Sequence, residues 1–304
     1  MYLHHNTELF REIIDETSER TGIARSIIEK DYYVTMILKL LARSVLKPVF
    51  KGGTSLSKCF HLINRFSEDI DITFSEHLGE ARRKKLKYKV LGPIGDELGM
   101  RIENWNQIES DKDYNRYIFG YPSLVSPPIN GVTSAVLLET ALVSYSFPTE
   151  EREVGNLIYD AVKEDIPDLV TDYGLSPFVM KVQSVSRTFI DKIFALCDYY
   201  LEKKTKRYSR HLYDIHMLYP SITIDDAFKE LVGQVREHRK HLPICPSARD
   251  GVDIKALIGE FLDSDFYRQD YAEKTKGLLS DNITYEQTAA TLREIVEKLF
   301  KTRD

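Results

Sequence analysis

Phe50-Lys51-Gly52-Gly53-Thr54-Ser55-Leu56-Ser57-Lys58, followed by Glu68-Asp69-Ile70-Asp71-Ile72-Thr73-Phe74, is the stretch that decides the fold. The second segment alternates strictly, with Ile70, Ile72 and Phe74 on one face and Asp69, Asp71 and Thr73 on the other. That period of two predicts a half-buried strand with an acidic outer face. Upstream, Pro48-Val49-Phe50 enters a short strand that Gly52-Gly53 cuts off, and Leu56 to Ile63 reads as a helix. Two aspartates two positions apart on a strand project from one face, where their like charges repel unless a cation lies between them. Magnesium suits such a pair, because it takes carboxylate oxygens and completes its shell with water and substrate phosphates. A Gly-Gly turn lets backbone approach a phosphate, and Thr54 or Ser55 is expected to cap the helix that follows and add a hydroxyl donor. Each half is common alone: D-x-D occurs on ordinary exposed strands, and Gly-Gly before a helix is usually only a turn. Together, in one compact unit, they predict a phosphate cradle beside a metal pair.

Working outward, the chain before this stretch reads as two helices between about Asn6 and Arg43. Phe10, Ile13, Ile14 and Thr17 recur at helical spacing, Gly22 breaks the run, and Ile27, Ile28, Val34, Ile37, Leu38 and Leu41 form the next stripe. Downstream, a charged helix runs from about Glu80 to Leu98, with an interruption near Gly92-Pro93. Met100 to Trp105, Arg116 to Tyr121 and Ser134 to Tyr145 read as strands, separated by turn-rich loops such as Ser126-Pro127-Pro128-Ile129-Asn130-Gly131. After about Ser146 the pattern is helical almost throughout. The expected class is α+β, a mixed sheet with N-terminal helices followed by a C-terminal helical domain, with domains 1–165 and 166–304.

The 304 residues suffice for a sizeable core. No apolar run approaches the roughly 20 residues that span a bilayer, and the N-terminus lacks the regions of a signal peptide, so no membrane partner and a cytoplasmic location are expected. Cys59, Cys197 and Cys245 are widely separated and read as buried thiols. The net charge of −5 excludes a molecule that attracts nucleic acid as a whole. Three basic segments remain: Arg82 to Lys89, Lys203 to Arg210, and Arg236 to His241. A solvated helix face is the default for each.

With these residues in view, Phe50 to Lys58 and its continuation Arg65-Phe66-Ser67-Glu68-Asp69-Ile70-Asp71 resemble the signature of the AbiEii/AbiGii toxin family, within the DNA-polymerase-β-like nucleotidyltransferase superfamily. Glu29-Lys30-Asp31-Tyr32-Tyr33-Val34 resembles the family's N-terminal helix. The resemblance implies a nucleotidyltransferase-like fold and transfer of a nucleoside monophosphate from an NTP with Mg2+. It also implies an RNA acceptor, since MenT-type relatives modify the 3′ end of tRNA, and a cognate antitoxin. It places Gly52, Gly53, Thr54, Ser55 and Lys58 on the nucleotide. The superfamily usually adds a third carboxylate from a neighbouring strand. Glu139, the single charge in Ala135 to Val143, is the candidate to join Asp69 and Asp71 on the metal. An edge-strand glutamate pointing to water is the other reading, and the residues leave both open.

Arg187 to Leu196 reads as a helix with Phe189, Ile193, Leu196 and Tyr200 as its buried stripe, Lys192 beside that stripe and Asp191 away from it. Arg207 to Ile215 reads as another helix, on which Arg210 and Asp214 are i,i+4 neighbours. By themselves these are a snorkelling lysine and an ordinary surface pair. The family carries an R-T-F-x-x-K helix and an R-x-x-Y-D segment, matched here by Arg187-Thr188-Phe189 with Lys192 and by Arg210 with Tyr213-Asp214. The resemblance therefore implies a catalytic set of Asp69, Asp71, Lys192 and Asp214, with Arg187 on the nucleotide. The rivals are a nucleotide-binding regulator without transferase activity, and a transferase whose acceptor is a small molecule or a protein.

Overall fold

The computed structural model describes residues 1–299 apart from 66, 68, 111 and 126–132. Parts of two sequence expectations, Phe66 and Glu68 of the D-x-D motif and the 126–131 loop, thus lie outside the described residues. The chain divides into two compact units: Met1–Phe60 with Glu68–Val182, and His61–Ser67 with Gln183–Asp304. The expected boundary at 165/166 falls inside the first unit, because the segment up to Val182 still pairs with its sheet.

The first unit opens with α1 (Thr7–Thr21) and α2 (Arg25–Arg43). Asn6 caps α1 by accepting the Leu9 amide, and Gly22, at φ +70°, ends it in the left-handed conformation that glycine adopts at least cost. β1 (Val49–Lys51), α3 (Gly52–Lys58) and β2 (Ile70–Thr73) follow. α4 (Glu80–Lys85) passes through a π-turn at Leu86–Leu91 into α5 (Gly92–Glu97), so the chain stays helical across Gly92-Pro93. Then come β3 (Arg101–Ile102), β4 (Tyr114–Gly120), β5 (Ala135–Ala141), β6 (Thr149–Val154), α6 (Leu157–Val162), α7 (Pro167–Asp172) and β7 (Phe178–Gln183).

The described strands form a seven-stranded mixed sheet in the order β3-β4-β5-β2-β1-β7-β6. β1 runs antiparallel to β2 and parallel to β7, and β2 runs parallel to β5. Phe50, Ile70, Ile72, Val136, Leu138, Tyr117 and Phe119 are buried, and α2 packs against β5. Each such side chain contributes roughly 1.5–3 kcal/mol by leaving water. Asp71, Glu139 and Arg116 alternate onto the opposite, more open face. β6 and β7 correct the expectation of helices after Ser146. β6 reads Thr-Glu-Glu-Arg-Glu-Val at the sheet's edge, where charges guard unpaired backbone and erase the apolar alternation of a strand.

The second unit is helical: α8 (Val185–Leu201), α9 (Arg210–Leu218), α10 (Asp226–Arg239), α11 (Ile254–Asp263), α12 (Arg268–Asp270, continuing into a π-turn) and α13 (Tyr285–Leu299). α8 packs against α9, α10 and α11, and α13 against α9 and α11. The expected stripe holds at Phe189, Ile193 and Leu196, all buried. α9 begins at Arg210, not Arg207, because Arg207 takes a left-handed φ of 70° and Asp270 claims the amides of Arg207 and Ser209. The three cysteines are free and buried, and among the described residues no helix is long and apolar enough to cross a membrane.

Candidate functional site

In the first unit, Gly52 stands at φ +82° where β1 turns into α3. A Cβ at this position would overlap the Asp71 carboxylate, so glycine is required both for the backbone angle and for the close approach. Antiparallel pairing of Lys51 with Asp71 brings the turn and the acidic strand together. α3 begins at Gly52 and ends at Lys58, earlier than the expected Leu56–Ile63. Thr54 and Ser55 therefore lie inside it and do not cap it. Ser55 Oγ donates to the Gly52 carbonyl at 2.9 Å, which braces the turn. Lys51 occupies the cap position, and its own side chain does not cap α3. The first amides of a helix have no acceptor within the helix, and here that end opens beside the Asp71 carboxylate.

Glu139 is in register with Asp71 across the parallel β2/β5 pair, and Arg116 is opposite Glu139 across β4/β5. With Lys51, a row of four charges crosses four adjacent strands on one face: Lys51, Asp71, Glu139, Arg116. β5 is interior to the sheet, so the edge-strand reading of Glu139 does not apply. Arg116 donates from Nε and Nη2 to Glu139 Oε1 at 2.8 and 2.6 Å. Burial, then a hydrogen bond to Glu139, pushes the Tyr114 hydroxyl pKa up. Neither Arg116 nor Tyr114 belongs to a motif of the sequence. Their signal is positional, an exposed arginine two residues from a tyrosine on a strand facing a lone glutamate.

Among the described residues no three His, Cys, Asp or Glu side chains form a ready metal cage. Magnesium usually keeps several waters and takes only one or two protein carboxylates beside substrate phosphates. The D-x-D carboxylates, with Asp71 held against the bare Gly52 backbone and Glu139 one strand away, are a donor set of that kind. Lys58 is directed elsewhere: it donates to Asp31 at 2.5 Å and to the Gly155 carbonyl at 3.1 Å, while Asp31 also accepts the Leu157 amide.

In the second unit, the structure brings Lys192 and Asp214 together and adds Arg65. Asp214 is fully buried. Its Oδ1 accepts Arg65 Nε at 2.6 Å, and its Oδ2 accepts Arg65 Nη2 at 2.8 Å and Lys192 Nζ at 2.6 Å. Burial alone would raise the Asp214 pKa, but the two cations outweigh it and hold the carboxyl well below the usual range. Burial lowers the Lys192 pKa, Asp214 pulls it back, and Arg65 lowers it again. The surface Arg210–Asp214 pair expected from spacing is thus replaced by a buried one. Arg65 lies within the motif, but no local pattern marks a partner 149 residues away. Arg187, also buried, donates Nε to Asp191 at 3.0 Å.

Residues 40–300 match the family model described as nucleotidyl transferase AbiEii toxin, type IV toxin–antitoxin system. The mixed sheet with its D-x-D strand and Gly-Gly turn is therefore that of a nucleotidyltransferase enzyme. The chain belongs to the AbiEii toxin family of type IV toxin–antitoxin systems. Among solved structures it is similar to MenT4, a nucleotidyltransferase toxin from Mycobacterium tuberculosis H37Rv, with 18% identity, a TM-score of 0.52, and coverage of 97% of this chain and 90% of that one. At that identity the likeness shows the fold. No curated protein matches significantly.

Proposed function

We propose that this chain is a magnesium-dependent transferase that moves a nucleoside monophosphate from an NTP to a hydroxyl at the 3′ end of tRNA, with a cognate antitoxin restraining it in the cytoplasm. The observation that carries the donor half is the Gly52 backbone packed against Asp71 of the D-x-D strand. The acceptor half rests on the family resemblance. Asp69 and Asp71 would hold the metal, with Glu139 beside them; when bound, it would offset the negative charge that develops on the phosphate during transfer. Backbone from Gly52 to Ser55 receives the phosphates. Asp214 has both oxygens engaged by Arg65 and Lys192, so it orients Lys192 and is not free to take a proton from the acceptor. The family resemblance counts Lys192 among the catalytic residues, and its ammonium is the charge that Asp214 holds in place. Lys58 and Arg187, which the resemblance places on the nucleotide, are engaged by Asp31 and Asp191 respectively. Incubation with each labelled NTP, magnesium and total tRNA tests the reading. Label in RNA supports it; tight NTP binding with no transfer to any acceptor would instead mark a nucleotide-binding regulator.

A further inference from the structure

The three basic runs differ in what the fold does with them. In the first, Arg82 pairs with Glu76 at 2.6 Å, Arg83 with Asp113 at 2.7 Å and Lys84 with Glu80 at 2.6 Å, and Lys87 is buried on the Trp105 and Ile108 carbonyls, which leaves Lys85 and Lys89 exposed. In the third, Arg236 is spent on the carbonyls of Ala248, Arg249 and Val252, Arg239 on Asp191 and Asp198, and Lys240 on Glu237. The second run, residues 202–210, carries five cations and one carboxylate. Among the described residues only Lys204 is ion-paired there, with exposed Glu202. Lys203, Lys206 and Arg207 are exposed and, among the described residues, have no ion-pair partner.

This loop is nonetheless held firmly. Asp270, buried, accepts the Arg207 amide at 2.7 Å, the Ser209 amide at 3.0 Å and Ser209 Oγ at 2.6 Å. Lys203 and Lys204 amides donate back to Tyr200 and Tyr199 carbonyls at 3.0 and 2.8 Å. Tyr208 stacks on Tyr199, ring centroids 3.6 Å apart. Lys203 and Arg207 both sit at left-handed φ, 56° and 70°, where long side chains are unfavourable and glycine or asparagine is usual. Non-glycine residues kept in such conformations concentrate at functional positions. A fixed backbone presenting unpaired cations loses little freedom on binding a polyanion. The loop also runs directly into Arg210, which bears electrostatically on Lys192.

We propose that the 202–210 loop docks the sugar–phosphate backbone of the RNA acceptor through Lys203, Lys206 and Arg207. The inference rests on the RNA-acceptor reading above, and names where the strand is gripped. Its test uses the full chain, wild type, Lys203→Gln/Lys206→Gln/Arg207→Gln, and a control of equal charge loss, Arg82→Gln/Lys84→Gln/Lys85→Gln. Affinity for tRNA is measured by fluorescence anisotropy across salt, affinity for NTP by calorimetry, and folding by thermal melting. Removing the loop cations should weaken tRNA binding by about tenfold or more and make the log K against log salt slope shallower by about two, with NTP affinity and melting kept. The control should bind like wild type. If the loop variant binds tRNA as wild type does, the loop assignment falls and the acceptor reading stands. Wild type that neither binds nor labels RNA overturns both, and a parallel loss of NTP affinity assigns the cations to the nucleotide and overturns this proposal.

Discussion

Arg65 grips Asp214 at two points, Nε to Oδ1 at 2.6 Å and Nη2 to Oδ2 at 2.8 Å, in the interior of the helical unit. The fork geometry is specific to guanidinium, and both side chains are buried. Arg65→Gln should destabilise the chain by roughly 3–5 kcal/mol, because the carboxylate loses one of its two cations without water to replace it. Arg65→Lys should recover only part of this, since an ammonium cannot make the paired bonds. Urea melts of the two variants check both statements; an unchanged midpoint in Arg65→Gln would remove the pair from the account.

Gly52→Ala should abolish efficient transfer while leaving the helical unit folded. The added Cβ meets the Asp71 carboxylate and the backbone angle of +82° becomes strained, so Asp71 must move. A displacement of about 1 Å at a reacting centre costs on the order of 100-fold in rate. Steady-state kinetics with labelled NTP give the number, and a variant within threefold of wild type would show that Asp71 does not need this position.

Much of this was legible along the chain. The D-x-D strand announces itself because alternation with period two survives in Asp69 to Phe74, and the N-terminal helices because their apolar stripes repeat at helical spacing. β6 was not legible, since an edge strand written in glutamates carries no apolar period. Arg65 was hidden for another reason: its importance lies wholly in a contact with Asp214, and nothing local encodes a partner so distant. Spacing pointed to Arg210 for that carboxylate, whereas the fold supplies Arg65 and Lys192. Lys58 sits inside the motif, yet packing commits its ammonium to Asp31.

The Lys192 ammonium should leave a kinetic trace. Burial and Arg65 push its pKa below the ordinary value of 10.5, although Asp214 opposes them. If the charged form steadies the triphosphate, kcat/KM falls as pH rises through that lowered pKa, so the alkaline limb begins below pH 10.5. Lys192→Arg should remove the limb, because guanidinium keeps its proton, and should cost roughly tenfold to hundredfold at neutral pH through altered geometry. An alkaline limb unchanged in Lys192→Arg would assign it to another group.

Acid stability should depend on His4. Burial, helped by His5, lowers its pKa from 6.5 to about 4, and its ring lies 2.9 Å from the Tyr32 hydroxyl and 3.1 Å from the Leu98 carbonyl. The neutral ring therefore donates from Nε2 and accepts at Nδ1. Between about 4 and 6.5 the unfolded chain binds the proton more readily. The contribution is thus complete above pH 6.5 and is lost as pH falls through about 4. It amounts to roughly 2–3 kcal/mol. His4→Gln should flatten the stability profile in that window, measured as urea midpoints at stepped pH, and an equally steep profile would rule His4 out.

Single-turnover transfer from labelled NTP to tRNA by wild type, Asp69→Asn and Asp71→Asn shows whether the D-x-D strand performs nucleotide transfer. Wild type should label RNA in a magnesium-dependent manner, and each folded variant should lose on the order of a thousandfold or more. Transfer at wild-type rate by either variant would contradict that role of the strand.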